Sequence, residues 1–220
     1  MKNQLSVIAE VEGLGKIVQA NADLYTELKQ LREAGARLIS PRDEAYARLQ
    51  TRKKENIGKN YGTRTSAGFE YIKKENPIFR LSSRLNNQGL AKLAVEANRQ
   101  ENYFHTNSTK EYEDSLKQAE KDKDKDPTKR NVIILPLRTN FTMSDKENWE
   151  IYQAILKDQA RPYFELNGPI TIYPVSFKKV DSQDGTILTN LWFLSLDVGS
   201  DFVGDDWNLN DGDGAARGSC

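Results

Sequence analysis

The stretch LGKIVQANADLYTELKQLREAGARL, residues 14–38, places an apolar residue at every seventh position: Ile17, Leu24, Leu31 and Leu38. Leu14 and Leu28 add three- and four-residue steps to the same pattern. This spacing predicts a helix of about six turns with one apolar stripe. Asn21 and Gly35 interrupt the companion positions of the stripe. Packing against the rest of the chain is therefore favoured over an extended coiled coil.

A second helix is expected directly after the first and completes an N-terminal helical hairpin. Ser40 suits the N-cap, because its hydroxyl accepts from free backbone amides, and Pro41 suits the first helical position. Asp43 and Glu44 fall in the first turn, where the helix dipole favours negative charge. We expect this helix to cover residues 41–55.

Two further helices are indicated before a run of alternating charges. Apolar residues over 90–97 recur at helical spacing, and Ser108 and Glu111 form a capping box that opens the next helix. Lys and Asp then alternate over residues 121–126, and Pro127 follows. Because such a run buries no face and proline ends helices, it is the predicted boundary of the N-terminal region.

The pattern beyond residue 127 is typical of a small mixed unit. Residues 132–135 form a β-branched apolar run, and residues 144–147 form a second capping box before another helix. Residues 170–175 and 187–196 indicate two more strands. The sequence therefore predicts a β-α-β-β unit.

The predicted fold class is α+β, with three regions along the chain. Residues 1–126 form a mainly helical region that contains a basic segment, and residues 127–197 hold the β-α-β-β unit. These two regions are either separate domains or one continuous domain. Residues 198–220 are rich in Asp, Asn and Gly and contain few apolar side chains, so we expect a mobile acidic tail.

Bulk composition is that of a folded protein in a reducing compartment. The 220 residues are 37% hydrophobic and 29% charged, which is enough apolar material for a core. No apolar run reaches the roughly 18 residues that cross a bilayer, so no membrane association is expected. Cys220 is the sole cysteine, which excludes an internal disulfide. We expect a cytoplasmic location.

Catalytic and cofactor chemistry has little support in the residue types present. His105 is the sole histidine, and with one cysteine the sequence offers no zinc site built from these residues. Residues 12–16 place two glycines and a lysine together, but the spacing is not that of a phosphate-binding loop and indicates a turn. The sequence therefore predicts a non-enzymatic protein without a cofactor or metal.

Charge is distributed unevenly although the total is zero. Residues 52–99 contain eleven basic and four acidic residues, a local charge of +7, whereas residues 180–220 carry a local charge of −7. Cations interleaved with aromatic rings are typical of single-stranded nucleic-acid sites, where cations bind phosphates and rings stack on bases. The candidate nucleic-acid contacts are Arg52, Lys53, Lys54, Lys59, Tyr61, Arg64, Lys73, Lys74, Arg80 and Arg84. The alternative interpretation is a buried set of aromatic residues beside an ordinary solvated basic face.

The acidic tail fits the same hypothesis as a competitor for nucleic acid or as an element that recruits partners. Its candidate residues are Asp201, Phe202, Asp205, Asp206 and Trp207. A basic region followed by an acidic tail resembles, in outline, phage and bacterial single-stranded-DNA-binding proteins. The five strands of the fold those proteins use are not visible here. The rival hypothesis is a structural subunit of a virion or another large complex, with self-association through the predicted helix over residues 14–38.

Overall fold

The structure of the chain is a computed structural model. It describes residues 5–51, 63–71, 76–97, 104–106, 109–135, 141–142, 148–168, 171–173, 187–189, 193–194, 202–203 and 215–220. The α-helices of these residues are α1 (Leu24–Glu33), α2 (Pro41–Thr51), α3 (Gln88–Ala97), α4 (Thr109–Asp122), α5 (Trp149–Leu156) and α6 (Ala160–Asn167).

Fourteen β-strands lie within the same described ranges. They are β1 (Ser6–Val11), β2 (Gly15–Ala20), β3 (Arg37–Leu38), β4 (Thr63–Arg64), β5 (Gly68–Tyr71), β6 (Ile78–Arg80), β7 (Phe104–Thr106), β8 (Val132–Ile134), β9 (Phe141–Thr142), β10 (Thr171–Tyr173), β11 (Ile187–Thr189), β12 (Phe193–Leu194), β13 (Phe202–Val203) and β14 (Ala215–Ser219). One sheet has the order β1-β2-β14-β4-β12-β13-β10-β9, with β3 also paired to β14, and the other has the order β7-β11-β5-β6-β8.

The predicted helix over residues 14–38 is wrong. Its first part is strand β2, which pairs with β1 in an antiparallel hairpin, and only α1 is helical. Gly13 and Gly15 turn the chain between the two strands with φ angles of 79° and 76°, a region that glycine enters without strain. The seven-residue spacing arises because β2, α1 and β3 each turn apolar side chains toward the interior, and not because one helix carries them.

The predicted mobile tail over residues 198–220 is also wrong at its end. Strand β14 lies inside the larger sheet, antiparallel to β2 on one side and parallel to β4 on the other. All five of its residues are buried. Small side chains allow this close packing, since a Cβ on Gly218 would press against Leu31, Ala36 and the Arg37 backbone. Residues 198–201 and 204–214 lie outside the described residues.

The predicted β-α-β-β unit does not form. Strands β8 and β11 belong to the smaller sheet, whereas β10 and β12 belong to the larger one. The apolar run 187–196, predicted as one strand, supplies both β11 and β12. Because hydrophobicity alone does not identify a strand's partner, the sequence pattern located these strands without assigning them to two sheets.

Several local helix predictions agree with the structure. Helix α2 begins at Pro41, and the Ser40 hydroxyl accepts from the Asp43 amide at 3.1 Å. Helices α3, α4 and α5 also occupy the predicted segments. In the Lys-Asp run, Asp122 is buried and accepts from Lys125, Gln118 and the Asn131 amide. The run therefore forms a turn after α4, and a domain boundary at this point stays a prediction.

The main hydrophobic core lies between the helices and the smaller sheet. Tyr152 and Tyr163 from α5 and α6 pack there with Phe79 of β6 and Ile133 of β8. A second cluster joins Leu24 and Leu28 of α1 to Ala91 and Ala94 of α3, together with Leu85 before that helix. Within the described ranges, no helix has the length and apolar character needed to span a bilayer.

Candidate functional site

Arg64, one of the predicted nucleic-acid contacts, lies in the protein interior. It belongs to β4, is fully buried, and forms an ion pair with the equally buried Glu27 of α1. Glu27 also accepts from the Ala22 amide at 3.3 Å. Burial raises the pKa of Glu27 to about 7, against the opposing effect of the Arg64 charge. The pair ties β4 to α1 and withdraws Arg64 from the surface.

Glu44 forms the centre of a second buried charge cluster. Its carboxylate accepts from Arg48 one turn further along α2, at 2.7 Å, and from Arg217 of β14. Burial by itself raises the pKa of Glu44, but the two neighbouring guanidinium groups outweigh it, so this pKa lies below its usual value. Arg217 also donates to the side chain of Gln19 in β2. This cluster anchors the last strand of the larger sheet.

Arg80, a second predicted nucleic-acid contact, is also engaged within the fold. Its guanidinium donates to the Ser115 hydroxyl at 2.8 Å and lies 3.7 Å from the Glu70 carboxylate. Ser115 in turn donates to Glu70, which is buried. Arg80 therefore links β6 to α4.

Of the other predicted nucleic-acid contacts, Arg84 alone falls within the described part of the chain. Arg84 lies in the 3-10 turn at Arg84–Asn86. The remaining candidates fall outside the described residues: Arg52, Lys53, Lys54, Lys59, Tyr61, Lys73 and Lys74. The nucleic-acid site stays a prediction, now without Arg64 at the surface.

Of the five predicted tail residues, one lies in a described strand and four lie outside the described residues. Phe202 lies in β13, which pairs with β10 and β12. Asp201, Asp205, Asp206 and Trp207 lie outside the described residues. Arg217, the one basic residue of the acidic region, is in the sheet and not in an exposed tail. Self-association stays a prediction, but the helix over residues 14–38 on which it was placed does not form, and Leu24, Leu28 and Leu31 are buried.

A surface cleft beside α1 is the clearest candidate site in the described structure. It has a volume of about 490 Å³ and lies between α1, the turn into β3, and the segment that leads into α3. We call it the α1 cleft. Its apolar wall consists of Leu28, Leu31, Ala36 and Leu38. Its polar side is formed by Arg32, Arg37, Ser66, Ser82, Asn86, Asn87 and Gln88.

The polar side of the α1 cleft is held in place by hydrogen bonds to the framework. The Ser66 hydroxyl donates to the Leu81 carbonyl at 3.0 Å, and Asn86 donates to the Ser66 carbonyl at 2.8 Å. Asn87 caps α3 by accepting from two amides of its first turn, those of Gly89 and Leu90. These side chains are therefore positioned before any ligand arrives.

Gln88 and Arg32 separate the α1 cleft from a neighbouring depression of about 420 Å³. Gln88 accepts from Arg32 at 3.2 Å and donates to the Leu28 carbonyl at 3.2 Å. Tyr25, Lys29 and Glu33 line the far side of that depression. Lys29 and Glu33 lie 3.9 Å apart, so their charges largely offset each other.

The α1 cleft has a positive electrostatic character. No Asp or Glu is among the described residues that line it, whereas two arginines are. Arg32 donates to a neutral amide, which leaves its charge uncompensated by that contact. Arg37 lies 3.5 Å from Asp43, which makes a closer contact of 2.9 Å with Arg42. Arg37 is therefore only partly neutralised.

No residue of the α1 cleft was predicted as a ligand contact, although Leu28, Leu31 and Leu38 belong to the apolar stripe of the predicted helix over residues 14–38. The lining residues come from segments as distant as Leu28 and Gln88, and their types are common on protein surfaces. The one local signal is Asn87, an N-cap residue before α3, which marks the edge of the cleft but not its function. Across the described ranges, no group of three or more His, Cys, Asp or Glu side chains is arranged to hold a metal ion.

No known protein family and no curated protein matches the sequence. The fold resembles a solved structure described as "Accommodation of massive sequence variation in Nanoarchaeota by the C-type lectin fold". The similarity covers 99% of this chain and 97% of that chain, with a TM-score of 0.61 and 12% sequence identity. At this identity the likeness concerns the fold alone, and it identifies the architecture of the chain as C-type lectin-like.

Proposed function

We propose that this chain is a non-enzymatic binding protein that holds a small ligand in the α1 cleft. The observation that carries the proposal is the cleft itself, with a volume of about 490 Å³, an apolar wall and a fixed row of amide and hydroxyl groups. Small-molecule sites are typically concave, have volumes of roughly 300 to 1,000 Å³, and combine apolar walls with a few placed polar groups.

The framework behind the cleft supports a binding role. Helix α1 supplies one wall, and its other face is fixed to β4 by the buried Glu27–Arg64 pair. The nanoarchaeal structure is described as a case in which the C-type lectin fold accommodates massive sequence variation. A fold that tolerates variation while its framework persists suits a protein whose surface residues are selected for recognition. We infer this kind of division between framework and recognition surface for the present chain.

The test is to titrate a library of small organic compounds into the isotope-labelled protein and to follow its amide signals by NMR. Compounds that bind are expected to shift the signals of Arg32, Asn86 and Gln88 together. Ser82→Trp, which places a bulky ring at the exposed rim of the cleft, should abolish these shifts. Ser6→Trp is the matched control, because Ser6 is also an exposed serine but lies in β1.

Two results would overturn the proposal. One is a library without any compound that shifts the cleft signals. The other is binding that persists unchanged in Ser82→Trp. A single-stranded oligonucleotide that binds at low salt without shifting the cleft signals would instead support the nucleic-acid role predicted from the +7 segment, with an affinity that falls steeply as salt is added. Concentration-dependent growth in particle size would favour the assembly role.

A further inference from the structure

We propose that the ligand of the α1 cleft is a small organic acid with one carboxylate and an apolar body, an inference that rests on the proposed function. The carboxylate lies at Arg32 and Arg37, and the apolar body lies against the apolar wall, where Ala36 and Leu38 are the accessible residues. The charge around the cleft, the guanidinium donors and the apolar wall each point to this class of molecule.

The charge around the cleft favours a monoanion. Arg32, Arg37 and Arg42 supply three positive charges, and Asp43 and Asp158 supply two negative ones through their contacts with Arg37 and Arg42. One positive charge remains, so a single carboxylate would make this group of charges neutral. A phosphate dianion would overcompensate the same group. Lys29 and Glu33 in the neighbouring depression add no net charge.

The geometry of the donors suits a carboxylate. A guanidinium group presents parallel N–H donors that match the two oxygens of a carboxylate, and such charge-assisted bonds are stronger than neutral ones. Arg32 already donates from one nitrogen to Gln88, which restrains the side chain at the cleft wall. Arg37 is exposed over 74% of its side chain and its closest carboxylate is 3.5 Å away, so it is available to turn toward a ligand.

The apolar wall explains why the ligand needs more than a charged group. Leu28 and Leu31 line the cleft but are almost fully buried, so the apolar surface that a ligand can cover belongs mainly to the half-buried Ala36 and Leu38. Covering such surface contributes roughly 25 cal/mol for each Å² removed from water. An acid without an apolar body leaves this contribution unused and should bind much more weakly.

The experiment compares three probes by NMR titration of the full chain. They are 3-phenylpropionate, its neutral analogue 3-phenylpropanamide, and acetate. We expect 3-phenylpropionate to shift the cleft signals with an affinity on the order of tenfold higher than either of the other two, since hydrogen bonds to charged groups are the stronger ones. Arg32→Gln should remove most of this difference. Arg161→Gln, which changes an exposed arginine of α6 outside the cleft, should leave it unchanged.

The possible outcomes separate this inference from the proposed function. If 3-phenylpropanamide binds the cleft as tightly as the acid, the cleft is a binding site but the carboxylate inference is wrong. The same conclusion follows if Arg32→Gln has no effect, or if phenyl phosphate, titrated in the same way as a fourth compound, binds much more tightly than 3-phenylpropionate. If these probes and the wider compound library all fail to shift the cleft signals, both proposals fail.

Discussion

Arg217 donates to Glu44 across 173 positions of the sequence, and both side chains are completely buried. The contact joins β14 to α2, and the same carboxylate also accepts from Arg48. A buried charge that loses its partner costs far more than an exposed one, because water is not present to replace the lost interaction. The stability of the larger sheet therefore depends on one carboxylate shared by two arginines.

Replacing Glu44 should destabilise the protein more than replacing Arg217. Glu44→Gln removes the buried negative charge that Arg48 and Arg217 share, and we expect it to lower the free energy of unfolding by about 3 to 5 kcal/mol. Arg217→Met leaves Glu44 paired with Arg48 and should cost less. Urea denaturation followed by circular dichroism measures both effects. Equal losses in the two variants would show that Glu44 is not the centre of the cluster.

Gly15→Ala should be more damaging than Gly13→Ala, although both glycines have positive φ angles, 76° and 79°. A Cβ at Gly13 meets no atom within 4 Å, so that substitution carries only backbone strain of about 1 to 3 kcal/mol. A Cβ at Gly15 collides with the backbone carbonyl of Cys220. The difference in melting temperature between the two variants isolates this collision. Indistinguishable melting temperatures would contradict the placement of residue 220 beside the hairpin.

Stability should respond to pH through Glu27. Burial raises the pKa of Glu27 from 4.5 to about 7, so between these values the folded chain binds more protons than the unfolded chain. The contribution of Glu27 to stability is therefore complete below pH 4.5 and is lost as the pH rises to about 7. Relative to that of Glu27→Gln, the free energy of unfolding of the wild type should fall by up to about 1.4 kcal/mol for each pH unit between pH 4.5 and about 7.

The measurement is a series of denaturation curves at several pH values for the wild type, Glu27→Gln and Glu33→Gln. Glu33 is the control, because it is exposed on the same helix and pairs only loosely with Lys29. Glu33→Gln should follow the wild type at every pH. If the free energies of unfolding of the wild type and Glu27→Gln differ by the same amount at every pH, the ion pair with Arg64 keeps Glu27 charged across the whole pH range.

Removing residues 215–220 should abolish the native fold. The deletion takes away β14, exposes the edges of β2 and β4, and leaves Glu44 without Arg217. Loss of amide signal dispersion in NMR spectra is the expected result. Ser219→Ala is the control within the same strand, since it removes only a 3.5 Å contact from Arg37. If the truncated chain keeps the signal dispersion of the wild type, β14 is not needed for the fold, and the mobile tail predicted from the composition is supported instead.

The helices could be predicted from the sequence because capping residues and apolar spacing are local features. Ser40 and Pro41 mark the start of α2, and the spacing of Tyr152, Ile155 and Leu156 marks the buried face of α5. The seven-residue repeat failed because Ile17, Leu24 and Leu38 lie in three different elements. Identical spacing arises whether apolar residues share one helix or face one core from a strand, a helix and another strand.

Strand β14 was missed because its sequence has almost no strand propensity. Ala215, Ala216 and Gly218 are small, and Arg217 is charged, a composition typical of an exposed segment. What places it in the sheet is the fit of small residues against neighbouring backbone and the charge of Glu44 far away in the sequence. Arg64 was misassigned to the surface for the same reason, since its partner Glu27 belongs to a separate element. The binding cleft also depends on such distant neighbours.

The position of β14 between β2 and β4 has a consequence for how the chain acquires its structure. During synthesis, β2 emerges from the ribosome almost two hundred residues before its partner, so their pairing must wait for nearly all of this segment to be translated. Until then the hairpin presents an open edge that invites pairing with other chains. Contacts of such long sequence separation also slow folding. Productive folding of this protein in the cell should therefore be late and sensitive to chaperone supply.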